Sequence, residues 1–113
     1  MIARHISKLK ETTDISNARG ISKRVLIGKS EGAPIFYMRH FHIKPYGFSP
    51  LHSHPWEHEI YIISGKGTVT VGDEEAELKE GMAIFIPPDT PHQIKAQEKD
   101  IEFLCCIPAI EET

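Results

Sequence analysis

The 113-residue sequence predicts an all-β fold, either an antiparallel sandwich or a barrel, built as one domain. Three observations lead to this prediction. Apolar residues recur with a period of two, turn residues separate these runs at short intervals, and no stretch after Gly20 has a helical pattern. A chain of this length is long enough to bury a single hydrophobic core.

The chain begins with an arm and continues with eight short runs that we interpret as strands. Residues 1–20 are polar with scattered Ile and Leu, and they are predicted to form an arm or an edge strand. The predicted strands are ISKRVLIG (21–28), PIFYMRHFHI (34–43), HEIYIIS (58–64), GTVTVG (67–72), EAELKE (75–80), MAIFI (82–86), HQIKA (92–96) and IEFLCCI (101–107). Turn residues separate them, including Pro45-Tyr46-Gly47, Ser64-Gly65 and Glu98-Lys99-Asp100.

The charge pattern argues against several classes of partner. The chain has 13 basic and 16 acidic residues, a formal net charge of -3, and no basic stripe, so we expect no nucleic acid and no membrane surface as partner. The first residues lack the apolar core of a signal peptide, and no run approaches the about 20 apolar residues of a membrane span. Cys105 and Cys106 are adjacent and make a poor structural crosslink, which favours a reducing, cytoplasmic location.

The segment HSHPWEHE, residues 52–59, is the densest group of metal-binding side chains in the sequence. If the chain is extended here, His52, His54 and His58 share one face, and Glu57 and Glu59 lie on the other. Imidazoles on one strand face can converge on a metal ion, so the three histidines are candidate ligands. A bulge at Pro55-Trp56 would change this parity and bring Glu59 into the site.

The other histidines are interpreted differently. Along residues 35–43 the odd positions are mostly apolar and are predicted to face the core, so His40 and His42 are predicted to face solvent or a partner subunit. His5 is interpreted as a surface residue.

Arg39 is the one charged residue on the predicted inward face, where it either extends to water or binds a substrate carboxylate.

Two segments of the sequence resemble the motifs of the cupin superfamily, of the cupin_2 type. The first cupin motif is G-x5-H-x-H-x3,4-E-x6-G and the second is G-x5-P-x-G-x2-H-x3-N; together they cover about half of this chain. The matching residues are Gly47, His52, His54, His58 and Gly65 in the first motif, and Gly81, Pro87, Asp89, His92 and Ala96 in the second.

The resemblance implies a jelly-roll β-barrel of two antiparallel sheets, with residues 21–113 as the barrel. It also implies that His92 is a fourth metal ligand, because cupin histidines at this position bind metal. His58 stands where most cupins have glutamate, and Glu59 fits only the longer spacing. The segment most resembles the small manganese-binding cupins with four histidine ligands, which are usually dimers. We therefore expect a homodimer in which residues 1–20, or the 21–28 strand, add to the sheet of the partner.

Four neutral imidazoles are expected to hold one divalent transition metal per chain, with manganese first and iron, nickel, zinc or copper as alternatives. Candidate residues of the pocket wall or of the surroundings of the ligands are Arg39, Phe103 and Cys105, chosen by strand parity. Trp56 either lines the pocket or packs to fix the loop.

The expected function is metal-dependent and acts on a small molecule. A dioxygenase-like oxidoreductase acting on a small oxygenated or unsaturated molecule comes first, because the predicted inner face is apolar. A metal-dependent isomerase or lyase of a small carbonyl compound, and a non-catalytic module that binds a metal or a small ligand, are the alternatives.

Overall fold

The computed structural model describes residues 1–109, and within them the chain is built almost entirely of strands. Two 3₁₀ turns, Ile6–Lys8 and Lys29–Glu31, are the only helical segments of this part, and no helix in it is long and apolar enough to cross a membrane. The strands are β1 (Arg19–Ile27), β2 (Phe36–Phe48), β3 (His58–Val71), β4 (Glu74–Lys79), β5 (Ala83–Ile86) and β6 (His92–Pro108). The predicted all-β class is confirmed.

Strands β2, β3 and β6 are long because they continue through positions that the sequence predicted as turns. The register of β3 against β6 shifts on both sides of Gly65, and the register of β2 against β6 shifts between Ile43 and Phe48. These irregularities bend the strands without ending them. The prediction of separate strands at 58–64 and 67–72, and at 92–96 and 101–107, was therefore wrong. Bulges and turns favour the same residue types, so composition does not separate them.

All strand pairs are antiparallel. The strands form one hydrogen-bonded sheet in the order β1-β2-β6-β3-β4, with β5 paired to β3. The second half of β6 lies between β2 and β3, whereas its first half pairs with the end of β3, which β4 also joins. The two predicted sheets are thus connected by strands that bend from one into the other. The predicted jelly-roll barrel is confirmed.

Alternate residues of the strands fill the barrel. On β6 the predicted inward set is buried, with Ile101 0%, Phe103 4%, Cys105 2% and Ile107 1% exposed. Ile60 and Ile62 of β3 and Tyr37 and Ile43 of β2 complete the same interior. This alternation places one face of each central strand inside the barrel, where the site is found.

The outer face of β2 corrects one prediction. His40 points outward as its parity predicts, but it is only 8% exposed, and its Nε2 lies 3.0 Å from Glu102 Oε2. His42 Nε2 similarly lies 2.8 Å from Asp100 Oδ2. The N-terminal residues run over this face and form a groove with it, so His40 is covered by its own chain instead of facing solvent.

The N-terminal arm is attached to β1 of the same chain. Thr12 forms an isolated antiparallel bridge with Lys23, and Arg4 donates from Nη2 to Leu26 O at 2.9 Å and contacts Glu31 Oε2 at 3.1 Å. The predicted contact of this arm with a partner subunit stays a prediction.

Substitution of two glycines can test how closely β3 and β6 approach each other at Gly65, with Gly81 as the comparison. Gly65 and Gly81 have nearly the same positive φ, 92° and 89°, but a Cβ at Gly65 would overlap Asp100 O, whereas one at Gly81 meets nothing within 4 Å. Gly81→Ala should cost only the left-handed backbone, about 1–2 kcal/mol. Gly65→Ala should cost clearly more, because the strands must separate. Urea unfolding of both variants measures the difference, and equal losses would contradict the close approach.

Candidate metal centre

Four imidazoles lie together inside the barrel. His58 is the first residue of β3 and His92 the first of β6, whereas His52 and His54 belong to the irregular segment before β3. The ring centroids are 4.3 Å apart for His52–His54, 4.9 Å for His52–His92, 4.7 Å for His58–His92, 5.5 Å for His54–His58 and 6.0 Å for His54–His92. The structure therefore gathers all four histidines that the sequence singled out.

Backbone hydrogen bonds bring the two motifs into contact. His92 N donates to His52 O at 2.9 Å, and His52 N donates to His92 O at 3.3 Å. Asp89 N donates to His54 O at 2.6 Å, and Asp89 has a positive φ of 58°. Asp is one of the residues that enters this conformation more readily than most, which explains why it replaces the usual glycine.

The parity argument grouped His52, His54 and His58, which the structure also brings together, but it assumed a partly wrong geometry. Residues 52–57 do not form a regular strand, because the chain bends at Pro55 and Trp56 and β3 begins only at His58. The bend does not bring Glu59 inward: Glu59 is exposed, and a hydrogen bond joins its side chain to that of Glu57. Partial desolvation first, and then Glu57, raises the pKa of Glu59 to about 7.

Three of the four imidazoles, those of His52, His58 and His92, are held neutral. Burial first, and then the neighbouring histidines and Arg39, lower the pKa of His52 to about 4 and that of His58 to about 3. Burial also lowers the pKa of His92, against a smaller opposite effect of its bond to Thr90. A neutral imidazole is the form that binds a metal ion, so these three rings are in the binding form at neutral pH.

The hydrogen-bond pattern of the rings also fits a metal. His92 Nδ1 lies 3.0 Å from Thr90 O, so this nitrogen carries the proton and donates, and Nε2 keeps its lone pair for a ligand. His58 Nδ1 is buried, and within residues 1–109 it has no hydrogen-bond partner. An unpaired buried ring nitrogen is costly unless a bound ion or ligand satisfies it.

The donor set therefore has suitable chemistry, although its geometry is not that of a completed site. Among the described residues, no group of three or more His, Cys, Asp or Glu side chains has the arrangement of a formed metal site. The centroid separations show the rings packed against one another instead. The four-histidine manganese centre accordingly stays a prediction.

A cavity of about 170 Å³ adjoins the imidazoles, and the three predicted pocket residues line it. Arg39 donates from Nη2 to Cys105 Sγ at 3.1 Å, and its guanidinium lies over the Phe41 ring at 5.1 Å. Phe41 in turn stacks on Phe103, with centroids 5.2 Å apart. Burial raises the pKa of the Cys105 thiol, a change that Arg39 partly opposes, so the thiol is protonated and weakly nucleophilic.

Lys23 is a charged residue of the cavity wall that the sequence reasoning missed. It has the same parity on β1 as the buried Ile21, so the alternation within ISKRVLIG contained the signal. Trp56 does not line this cavity. Its ring stacks on that of His54 at 4.4 Å and packs against the core, so it supports the loop that carries the histidines.

Comparisons with known proteins agree with this architecture. The family model Cupin_2, described as a cupin domain, matches residues 39–107. The polyketide cyclase RemF of Streptomyces resistomycificus is 32% identical, with 96% of this chain and 80% of RemF covered and a TM-score of 0.89. The cupin-2 domain Rru_A2000 of Rhodospirillum rubrum is 25% identical, with 100% and 77% covered and a TM-score of 0.83.

A curated relative matches over a shorter stretch. The uncharacterized protein MJ1618 of Methanocaldococcus jannaschii is 43% identical over 58 residues, which are 50% of this chain and 46% of that protein. The match thus spans about half the length of that relative. The resemblance to cupins that the two motifs predicted is confirmed.

The neutral imidazoles predict how the stability of the metal-free protein depends on pH. Unfolded histidines titrate near pH 6.5, whereas folded His52 and His58 titrate near 4 and 3. Between these values the unfolded chain binds protons that the folded barrel does not. The neutral forms of His52 and His58 therefore contribute fully to the free energy of unfolding above about pH 6.5. This contribution is lost as the pH falls towards 4.

Urea unfolding between pH 7.5 and 5 measures this dependence. Glu59 contributes in the opposite direction because its pKa is raised, so the comparison is made between variants that keep Glu59. The double variant His52→Gln/His58→Gln should show a weaker loss on acidification than the wild type. His5→Gln, which changes an exposed histidine in the arm, is the matched control. An unchanged pH slope in the double variant would mean that these rings are not the groups responsible.

Proposed function

The chain belongs to the Cupin_2 family, and from this premise we propose that it is a metal-dependent enzyme acting on a small carbonyl compound. One divalent ion would be held by His52, His54, His58 and His92. The observation that carries the proposal is the convergence of four imidazoles beside a small cavity that also contains Arg39.

The choice of metal follows from the ligands. Imidazole nitrogens are intermediate donors that suit manganese, iron, nickel, zinc and copper, and we propose manganese first on the likeness to four-histidine cupins. Because all four ligands are neutral, a bound ion would keep its full charge and supply Lewis-acid polarisation of a substrate carbonyl oxygen.

The side chains around the imidazoles would bind and orient the substrate. Ile60, Phe41 and Phe103 line the cavity, and the two stacked rings offer a flat apolar surface. Arg39 is held by its contacts with Cys105 and Phe41, so its position is set before a ligand arrives. Such preorganised charge is the most effective form of electrostatic stabilisation.

The likeness to a polyketide cyclase at 32% identity over nearly the whole chain supports carbonyl chemistry. A dioxygenase-like oxidoreductase is the second candidate function. The observation in its favour is the apolar wall formed by Ile60, Ile94 and Phe103, which suits a substrate with few polar groups. A module that only binds a metal or a small ligand would share the site but would not turn over a substrate.

Metal retention tests the ligand assignment with two neighbouring substitutions. His58→Ala should lose the ion, because it removes a buried ring that contacts the rest of the cluster. Glu59→Gln should keep the ion within about tenfold of the wild-type affinity, since Glu59 is exposed on the other side of β3. Elemental analysis after loading and dialysis gives the measurement. If Glu59→Gln empties the site while His58→Ala stays loaded, the four-histidine proposal is wrong.

The pattern of oxidation at the two cysteines distinguishes Lewis-acid chemistry from the oxidoreductase. Cys105 lines the cavity, whereas Cys106 lies on the opposite face and is partly exposed. With Lewis-acid chemistry alone, peroxide should oxidise Cys106 first, and to the same extent in metal-loaded wild type and in His52→Ala. Peptide mass spectrometry reads both sites. Metal-dependent oxidation centred on Cys105 would favour the oxidoreductase instead.

A further inference from the structure

Two cationic side chains, Lys23 and Arg39, line the cavity beside the imidazoles. They lie on the neighbouring strands β1 and β2, where Lys23 is paired with Phe41 and Arg39 with Val25. The two cations are therefore diagonal neighbours on one face of an antiparallel pair, a separation that long side chains can bridge.

In the part of the chain that the structure describes, no carboxylate compensates these charges. The described residues that line the cavity include no Asp or Glu, and neither Lys23 nor Arg39 has a salt bridge within residues 1–109. Among the described residues, Arg39 Nε is also buried without a hydrogen-bond partner, as is Arg24 Nε on the outer face. Arg24, an outward-facing cation of β1, by contrast contacts Glu11 Oε2 at 3.6 Å. The chain has 16 acidic residues against 13 basic ones, so the absence of acids in the wall does not follow from composition.

Two like charges in a partly buried cavity repel each other and lose hydration, a cost that a bound anion would offset. Burial, and next the charge of Arg39, lower the pKa of Lys23, which is consistent with this repulsion. We propose that Lys23 and Arg39 form an anion subsite, and that the substrate is a small carboxylate whose carbonyl group faces the imidazoles. The carbonyl part rests on the proposed function, whereas the anion subsite does not require a metal.

The cavity also limits the size of this carboxylate. About 170 Å³ is close to the volume of an apolar cavity that accepts benzene, about 150 Å³. The stacked rings of Phe41 and Phe103 give one wall a flat apolar surface. A keto acid with a short carbon chain or one small ring fits this volume, with its carboxylate on the guanidinium fork of Arg39.

Two probes of the same shape test the subsite: acetoacetate, which carries a carboxylate, and acetoacetamide, its uncharged analogue. Calorimetric titrations use the full chain, metal-free and loaded with Zn²⁺. Acetoacetate should bind the wild type at least about tenfold more tightly than acetoacetamide. Arg39→Gln and Lys23→Gln should each weaken the binding of acetoacetate by about 10- to 100-fold. The affinity for acetoacetamide should change little. Arg39→Lys should restore part of the affinity.

Arg24→Gln is the matched control, because it removes a cation next to Lys23 on β1 that lines the outer groove instead. It should bind both probes like the wild type. Equal affinity of the wild type for the two probes would overturn the subsite, and so would a loss in Arg39→Gln that is equal for both. A preference for acetoacetate that disappears in the metal-free protein would also overturn it, leaving the metal proposal standing. A preference that persists in a chain that binds no metal would uphold the subsite and refute the proposed function.

Discussion

The pairing of β6 with both β2 and β3 is the constraint on which the barrel and its cavity depend. Across these three strands, Cys105 lies between Arg39 and Ile60, and the neighbouring inward row carries Phe41, Phe103 and Ile62. Because side chains alternate, a shift of one residue would turn both rows outward. The same strand begins at His92, whose backbone bridge to His52 connects the two halves of the site.

The interior of this barrel has an unusual charge balance. It contains imidazoles that burial keeps neutral, two cations and no acid among the described wall residues. On the outer face, by contrast, His40 and His42 each contact a carboxylate. A wall with two cations and no acid is the arrangement expected where a ligand, and not the protein, supplies the negative charge.

The rigidity of the site comes from its surroundings. Trp56 stacks on His54, Phe41 and Phe103 stack on each other, and Arg39 is fixed between the Phe41 ring and the Cys105 sulfur. These contacts restrict side chains that would otherwise have many rotamers, which lowers the entropy cost of binding. Within the cavity, the apolar residues therefore contribute order.

The sequence by itself determined the all-β class, the inward face of β2 and β6, and the four histidines, because strand alternation and motif spacing are local properties of the chain. It did not determine that β3 continues past Ser64-Gly65 or that β6 continues past Glu98-Lys99-Asp100, since turns and bulges use the same residue types. Only the tertiary structure decided that Lys23 joins Arg39 in the cavity and that His40 is covered by the N-terminal arm. Both facts depend on which strands become neighbours, and that is settled by long-range pairing.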